Sequence, residues 1–304
     1  MRRRADAKRG KSKMNLTITD VRALPGDSAF LIDDGQTAIL YDTGFGFTAE
    51  RLAENIRDIL GERTLDYIFL THSHYDHVLG SCYLLRVYPD AKVVAGEYVK
   101  KIFSKPTARE KMRALDRSAA EKEGVTDYED LVDELRVDIA VGDGDEIACG
   151  DMTFRVIGLP GHTKCSIGFY LAENRLLLGT ETLGVYFGKH TYMPSYLVGY
   201  QMSLDSYAKA AALDVDQLLI PHYGVVGREE AQAFLAGAEQ SVTQTAMRIR
   251  EILSSGGTKE DAFEDFKKTY YIERVRPAYP ISAFNLNTGI MIDLVQKELI
   301  EASN

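Results

Sequence analysis

Apolar and polar residues alternate along residues 16–22, and two further short apolar runs, 29–33 and 37–42, come next between Gly and Asp turns, so the chain opens as successive strands. The period lengthens over 48–60, which reads as an amphipathic helix. Residues 67–71 form a short apolar strand, 78–88 a helix and 92–95 a strand-like run. Helix-favouring and charged residues fill 97–135, after which strand character returns at 136–140, 146–148, 153–157 and 167–171. Two more strands, 175–178 and 217–220, flank a helix over 204–213, and beyond Arg228 the pattern is almost wholly helical. Gly142-Asp143-Gly144-Asp145 reads as a hairpin turn. The pattern therefore predicts a β-rich body over 15–227, a helical insertion within it at 97–135, and an appended helical region at 228–304.

Composition bounds what such a body can be. With 304 residues, 45% of them hydrophobic, the chain can bury a sizeable core as one large domain or a domain with an appendage. The formal charge of -9 is uneven: residues 1–14 hold seven basic residues and one acid, a segment of +6 that leaves -15 on the remainder. So acidic a body argues against tRNA or DNA as substrate, because phosphate binding draws on clustered Lys and Arg, and no nucleic-acid partner is expected. The basic segment is expected to be a disordered extension, or one that precedes a natural start at Met14. Residues 15–21 beyond it alternate like a strand instead of forming an apolar signal segment, and no membrane span is read, so the expected location is the cytoplasm. Cys82, Cys149 and Cys165 lack paired spacing and read as free thiols of a reducing compartment, buried and inert.

Directly after the strand at 67–71 the chain reads THSHYDHVLG, which packs His72, His74, Asp76 and His77 into six residues. Neutral imidazole nitrogens and a carboxylate oxygen suit zinc, iron or manganese, and a closed structural site would more often use cysteine. Of the other histidines, His162 sits in a Gly/Pro break after one strand and His222 in a similar break after another, both at strand ends where ligands can converge. His190 follows no such strand end and reads as a solvated loop residue.

In their order, HxHxDH at 72–77, the Gly-His-Thr histidine and the Pro-His-Tyr-Gly histidine resemble the metallo-β-lactamase-fold hydrolase superfamily, over roughly residues 15–227. The resemblance implies a mixed α/β (α+β) chain, a four-layer αβ/βα sandwich of two pseudo-repeated halves, with both metals at one edge between the sheets. It implies that His72, His74 and His162 hold a first metal and Asp76, His77 and His222 a second. The family's bridging aspartate falls in a Gly-Asp-Thr-Leu-like segment. This chain reads Gly179-Thr180-Glu181-Thr182-Leu183, which puts Glu181 there when aligned on Thr-Leu, or Thr180 when anchored on Gly179. Asp42 matches a position that commonly supports the ligands from behind, although a turn aspartate satisfying backbone amides would look the same.

Two divalent ions about 3.5 to 4 Å apart, zinc first with iron or manganese as alternatives, would share a hydroxide able to attack a small ester, lactone, thioester or amide. Asp76 would both bind the second ion and orient or deprotonate that hydroxide. The aromatic loop after Glu181 offers Tyr186, Tyr192 and Tyr196 as walls for a small-molecule substrate, and Tyr223 beside His222 is a further candidate; a packed core edge is the competing account. The insertion and the region 228–304 are expected to cap the site, the latter alternatively to pair two chains as a homodimer. Lys259, Lys267, Lys268, Arg274 and Arg276 read as a solvated face. Two other readings stand beside hydrolysis: a non-hydrolytic regulatory or ligand-binding protein on the same fold, and a mononuclear iron oxygenase.

Overall fold

The computed structural model describes residues 13–303; apart from its last two residues, the basic extension predicted for 1–14 lies outside the described residues. The first sheet runs in the order β1 (Thr17–Asp20), β2 (Phe30–Asp33), β3 (Ala38–Tyr41), β4 (Tyr67–Leu70), β5 (Lys92–Gly96) and β6 (Ile139–Val141). Its first three strands pair antiparallel and β3 to β6 pair parallel. The second sheet contains β7 (Glu146–Cys149), β8 (Met152–Gly158), β9 (Ile167–Leu171), β10 (Leu176–Leu178), β13 (Gln217–Ile220) and β14 (Gly224–Gly227). Between them in the chain, β11 (Val185–Tyr186) and β12 (Tyr192–Met193) form a separate two-stranded hairpin.

Period-two alternation builds two cores from each strand. In β4, Phe69 faces the second sheet and stacks on Phe169 at 4.3 Å between ring centroids, while Ile68 and Leu70 face outward into a cluster with Leu52, Ile56 and Leu84. Those three come from α1 (Ala49–Leu60) and from α3 (Gly80–Val87), which comes after the single turn α2 (Tyr75–Val78). The insertion supplies α4 (Glu97–Phe103) and α5 (Pro106–Lys122), whose Val99, Phe103 and Met112 join the same layer. On the far side, α6 (Tyr200–Ala211) and α7 (Arg228–Ser254) cover Tyr170, Leu177 and Leu218 of the second sheet. The result is the four-layer αβ/βα sandwich, its central strands β3, β9 and β10 apolar on both faces because both faces are covered. α8 (Lys259–Tyr270), opened by a Thr258–Asp261 capping box, and α9 (Ile281–Val295) follow, and a π-helical stretch, Gln296–Ile300, continues α9.

Three departures from the sequence pattern have local causes. Helix ends at Lys122 instead of running on towards 135: Gly124 takes φ 74°, and the extended segment after it is held by Asp130, which Arg113 and Arg117 clamp from α5. The α6 helix starts at Tyr200, ahead of the expected 204, because the Glu298 carboxylate accepts from the Tyr200 and Gln201 backbone amides and caps a helix that Gly199 cannot. β14 and the β11–β12 hairpin are absent from the sequence pattern because strands of four residues or fewer, bounded by glycines, carry too little periodicity. No helix among the described residues is long and apolar enough to cross a membrane. All three cysteines are buried and unpaired.

Candidate metal centre

Four strand ends deliver the candidate ligands to one edge of the sandwich. β4 leads into His72 to His77, β8 into His162, β10 into Glu181 and β13 into His222. α2 begins inside the motif, so His74 stands extended at ψ 145° while Asp76 and His77 occupy the first helical turn, and the side chains splay towards different points of the cluster. Gly80 is required for this packing, since a Cβ there would lie 2.0 Å from the Thr43 carbonyl oxygen. His222 has φ 61° and Asp42 φ 52°, left-handed conformations that non-glycine residues adopt at a cost and that concentrate at functional sites.

The seven residues form two groups, His72, His74, His162 and Glu181 in one and Asp76, His77 and His222 in the other, with ligand atoms within 4.8 Å of one another in each. Glu181 joins them. Its Oε2 lies 2.9 Å from His162 Nε2, 3.4 Å from His72 Nε2 and 3.4 Å from His77 Nε2, and its Oε1 lies 3.6 Å from His222 Nε2. Thr180, the other residue that alignment allowed, is buried with its hydroxyl unpartnered among the described residues. Within the first group His74 Nδ1 and His162 Nε2 are 3.0 Å apart, and within the second His77 Nε2 and His222 Nε2 are 3.1 Å apart.

Four of the five rings are oriented by their outer nitrogen. His77 Nδ1 meets Asp42 Oδ2 at 2.8 Å, His162 Nδ1 meets the Ser195 hydroxyl at 2.8 Å, His222 Nδ1 meets the Gly26 carbonyl at 2.9 Å and His72 Nδ1 meets the Thr71 hydroxyl at 3.0 Å. Such contacts fix the tautomer and aim the other nitrogen inward. Burial holds the His72 and His74 pKa values well below normal, with neighbouring histidines adding to it, so both rings are neutral lone-pair donors. For His77 burial opposes charge, but Asp42 and Asp76 outweigh it and raise the pKa well above normal. Burial likewise opposes ionisation of Glu181, and His162 overcomes it, holding the carboxyl well below the usual range.

These donors fit divalent metal. His72 Nε2 is buried with no hydrogen-bond partner among the described residues, an orphan that a cation would satisfy. Tetrahedral zinc with Zn–N of about 2.0 to 2.1 Å sets neighbouring ligand atoms about 3.3 Å apart. The 2.9 to 3.4 Å spacings around Glu181 Oε2 are close to that.

The aromatic residues divide. Tyr186 is buried, donates to Glu230 at 2.7 Å and stacks on Tyr192 at 5.3 Å, and Tyr196 is buried in the core beneath α7. Tyr192 shares a 2.9 Å contact with His190, and Tyr223, exposed, packs on Tyr186 at 4.5 Å. The partners of these four rings are thus one another, His190, Glu230 and the core, and the competing account of the loop, a packed core edge, describes Tyr186 and Tyr196. What the loop does contribute is Ser195, behind His162, for which the sequence carries no signal.

A cavity of about 470 Å³, which none of the candidate ligands lines, is bounded by Phe47, Tyr83, Arg113, Asp116 and Tyr128. Asp116 accepts from the Gly46 amide at 2.9 Å, and burial pushes its carboxyl from 3.8 up to about 6, against the opposing bonds from Tyr128 and Gly46. Because the folded pKa exceeds the unfolded one, this group's contribution to stability is full below about pH 4 and is lost as pH rises through 6. Asp116→Asn is therefore expected to lose about 1 to 3 kcal/mol less stability than the wild type between pH 4 and 7. Urea midpoints at the two pH values check this; parallel losses in both proteins would refute it.

Residues 25–222 match the family profile of the metallo-beta-lactamase superfamily. The chain is 26% identical over 273 residues to the beta-lactamase-like protein 2 homolog of Drosophila melanogaster, covering 87% of this chain and 80% of that protein. It is 28% identical over 120 residues to a hydroxyacylglutathione hydrolase of Brucella anthropi, covering 40% of this chain and 34% of that protein. Among solved structures, a metallo-beta-lactamase family protein of Thermus thermophilus is similar with a TM-score of 0.60 and 17% identity, over 89% of this chain and 88% of that one, a likeness of fold.

Proposed function

This chain belongs to the metallo-beta-lactamase superfamily, and we propose that it is a hydrolase that uses two divalent metal ions, zinc in the first instance, to cleave a small ester, lactone, thioester or amide. One observation carries the reading: Glu181 sets one oxygen against His72, His77 and His162 and the other towards His222, so a single carboxylate ties the two ligand groups together. Hydrolase relatives such as the Brucella anthropi protein support the reaction class.

His72, His74, His162 and Glu181 would hold one ion and Asp76, His77 and His222 the other, with Glu181 shared. When bound, such ions lower the pKa of water towards neutrality and polarise the oxygen of the bond to be cleaved. The chain's own residues do the rest. Asp42, Ser195 and the Gly26 carbonyl hold three of the imidazoles by their outer nitrogens, so the inward nitrogens need no reorganisation. Asp76, the more exposed of the two carboxylates, stands at the open side, where it can orient the attacking water and take its proton.

The substrate is a small molecule, and the helices of 228–304 and of the insertion cap its approach; the Lys122 ammonium of α5 meets Ser282 of α9 at 3.2 Å, so the two additions touch. Incubating the zinc-loaded protein with a panel of esters, lactones and thioesters tests the proposal. Turnover abolished by a chelator and restored by zinc is expected, and chelator-resistant turnover at the original rate would overturn it.

A further inference from the structure

The connection from β1 to β2, residues 21–29, lies against the turn that carries His222, although the two belong to different sheets. His222 sits in the three-residue turn between Ile220 of β13 and Gly224 of β14, with φ 61°, and its Nε2 lies 3.1 Å from His77 Nε2 and 3.6 Å from Glu181 Oε1. So short a turn leaves its middle carbonyl outside the strand ladder, in need of another donor. Arg22 supplies it: Nη1 donates to the His222 carbonyl oxygen at 2.5 Å, while Nδ1 of the same histidine meets the Gly26 carbonyl at 2.9 Å. One connection thus grips both the backbone and the ring of His222.

Arg22 is itself fixed in place. Its Nε and Nη2 donate to the two Asp20 carboxylate oxygens at 2.9 and 2.6 Å, Nη1 also donates to the Pro25 carbonyl at 3.2 Å, and the guanidinium lies 5.2 Å from the centre of the Phe30 ring. Gly224 faces that ring as well, since a Cβ there would lie 3.7 Å from it. Asn55 of α1 pins the backbone by donating to the Val21 and Arg22 carbonyls at 3.0 and 3.3 Å, and the Asp27 carboxylate accepts from the Ala23 and Leu24 amides at 3.0 and 2.9 Å. A planar fork can serve the Asp20, Pro25 and His222 oxygens at once, which the single nitrogen of a lysine cannot do in this geometry. The same connection also reaches His77: the Ser28 hydroxyl donates to Asp42 Oδ2 at 3.1 Å, and that oxygen meets His77 Nδ1 at 2.8 Å. Both histidines of one ligand group are therefore supported from residues 21–29, whereas in the other group Thr71 holds His72 and Ser195 holds His162.

We propose that Arg22 is a positioning residue for the ion held by Asp76, His77 and His222: by fixing the His222 carbonyl it presets that ring against His77, and it makes this ion, and not the other, depend on the β1–β2 connection. The inference rests on the two-ion reading above. A left-handed histidine freed from its Arg22 bond has less strained conformations open to it, which turn the ring away, and the cost of reordering it then falls on metal binding.

The test is a zinc titration of the full chain against a competing chromophoric chelator, for the wild type, Arg22→Met, Arg22→Lys, His222→Ala and Arg22→Met combined with His222→Ala. Two ions are expected in the wild type; in Arg22→Met one should bind with unchanged affinity and the other about 10- to 100-fold more weakly. Arg22→Lys, which keeps the charge but not the fork, is expected to show a smaller loss of the same kind, and it carries the test if the methionine variant does not fold. Once His222→Ala has removed the ring, adding Arg22→Met should change zinc affinity no further, whereas a general structural role would lower it again. Equal weakening of both ions in Arg22→Met, wild-type affinity for both, or a further loss in the combined variant would overturn the assignment, and a wild type that binds a single ion would overturn it together with the two-ion reading. Hydrolysis of the ester panel by the same proteins separates the two: a wild type that binds two ions, loses one selectively through Arg22→Met and hydrolyses nothing leaves the role of Arg22 standing while the hydrolase reading fails.

Discussion

Replacing Asp76 by alanine is expected to lower hydrolysis by about 10³-fold or more while leaving one metal ion bound per chain. The residue sits on the first turn of α2, its Oδ2 3.8 Å from His77 Nε2, with 23% of its side chain exposed against 8% for Glu181. It therefore reaches the open side that Glu181 does not, and in the proposed mechanism it serves both as ligand and as proton acceptor. Its removal leaves His72, His74, His162 and Glu181 intact, which explains why one ion should persist. Asp76→Asn keeps the shape and one oxygen, so it is expected to regain part of the metal content but little of the rate. Turnover and elemental analysis on the same preparations check both halves. A rate within about tenfold of the wild type would remove Asp76 from the chemistry.

Asp42→Ala should have the largest effect on stability, about 3 to 5 kcal/mol. The carboxylate is fully buried and accepts four hydrogen bonds: from Thr71 N at 2.9 Å, the Thr71 and Ser28 hydroxyls at 3.1 Å each, and His77 Nδ1 at 2.8 Å. Each donor would be stranded by alanine, and stranded buried donors cost more than the bonds were worth. His77 would also lose the partner that fixes its tautomer, so affinity for the ion it holds should fall about 10- to 100-fold. Asparagine tolerates the positive φ at this position but presents an amide where only acceptors serve, and an intermediate loss is expected. Urea unfolding of the metal-free proteins isolates the first effect, and zinc titration of the folded ones the second. A loss below about 1 kcal/mol in Asp42→Ala would show that Asp42 is only a turn residue.

Legibility in the sequence depends on how local each feature is. The apolar run 67–71 and the ligands directly after it are contiguous, and β9, β13 and α1 lie within a residue or so of where periodicity puts them, because periodicity reports faces that packing then covers. His162, Glu181 and His222 are reachable as strand-end residues, with the family resemblance ordering them. Ser195 behind His162 and Glu298 capping α6 are not, since each acts on residues that only the fold brings near. The loop tyrosines show the same limit from the other side. An aromatic run after a ligand reads equally as pocket wall or core edge, and Phe234 of α7, far along the chain, packs edge-on against Tyr186 and makes it core.

Glu181, a glutamate where the family usually places aspartate, is proposed to tie two metal ions into one centre, and every step of the chemistry depends on that tie. Elemental analysis of the purified wild type beside Glu181→Ala tests it most directly. About two divalent ions per chain are predicted in the wild type and no more than one in the variant, with the folded structure retained. Two ions per chain in Glu181→Ala, or none in the zinc-incubated wild type, would contradict it.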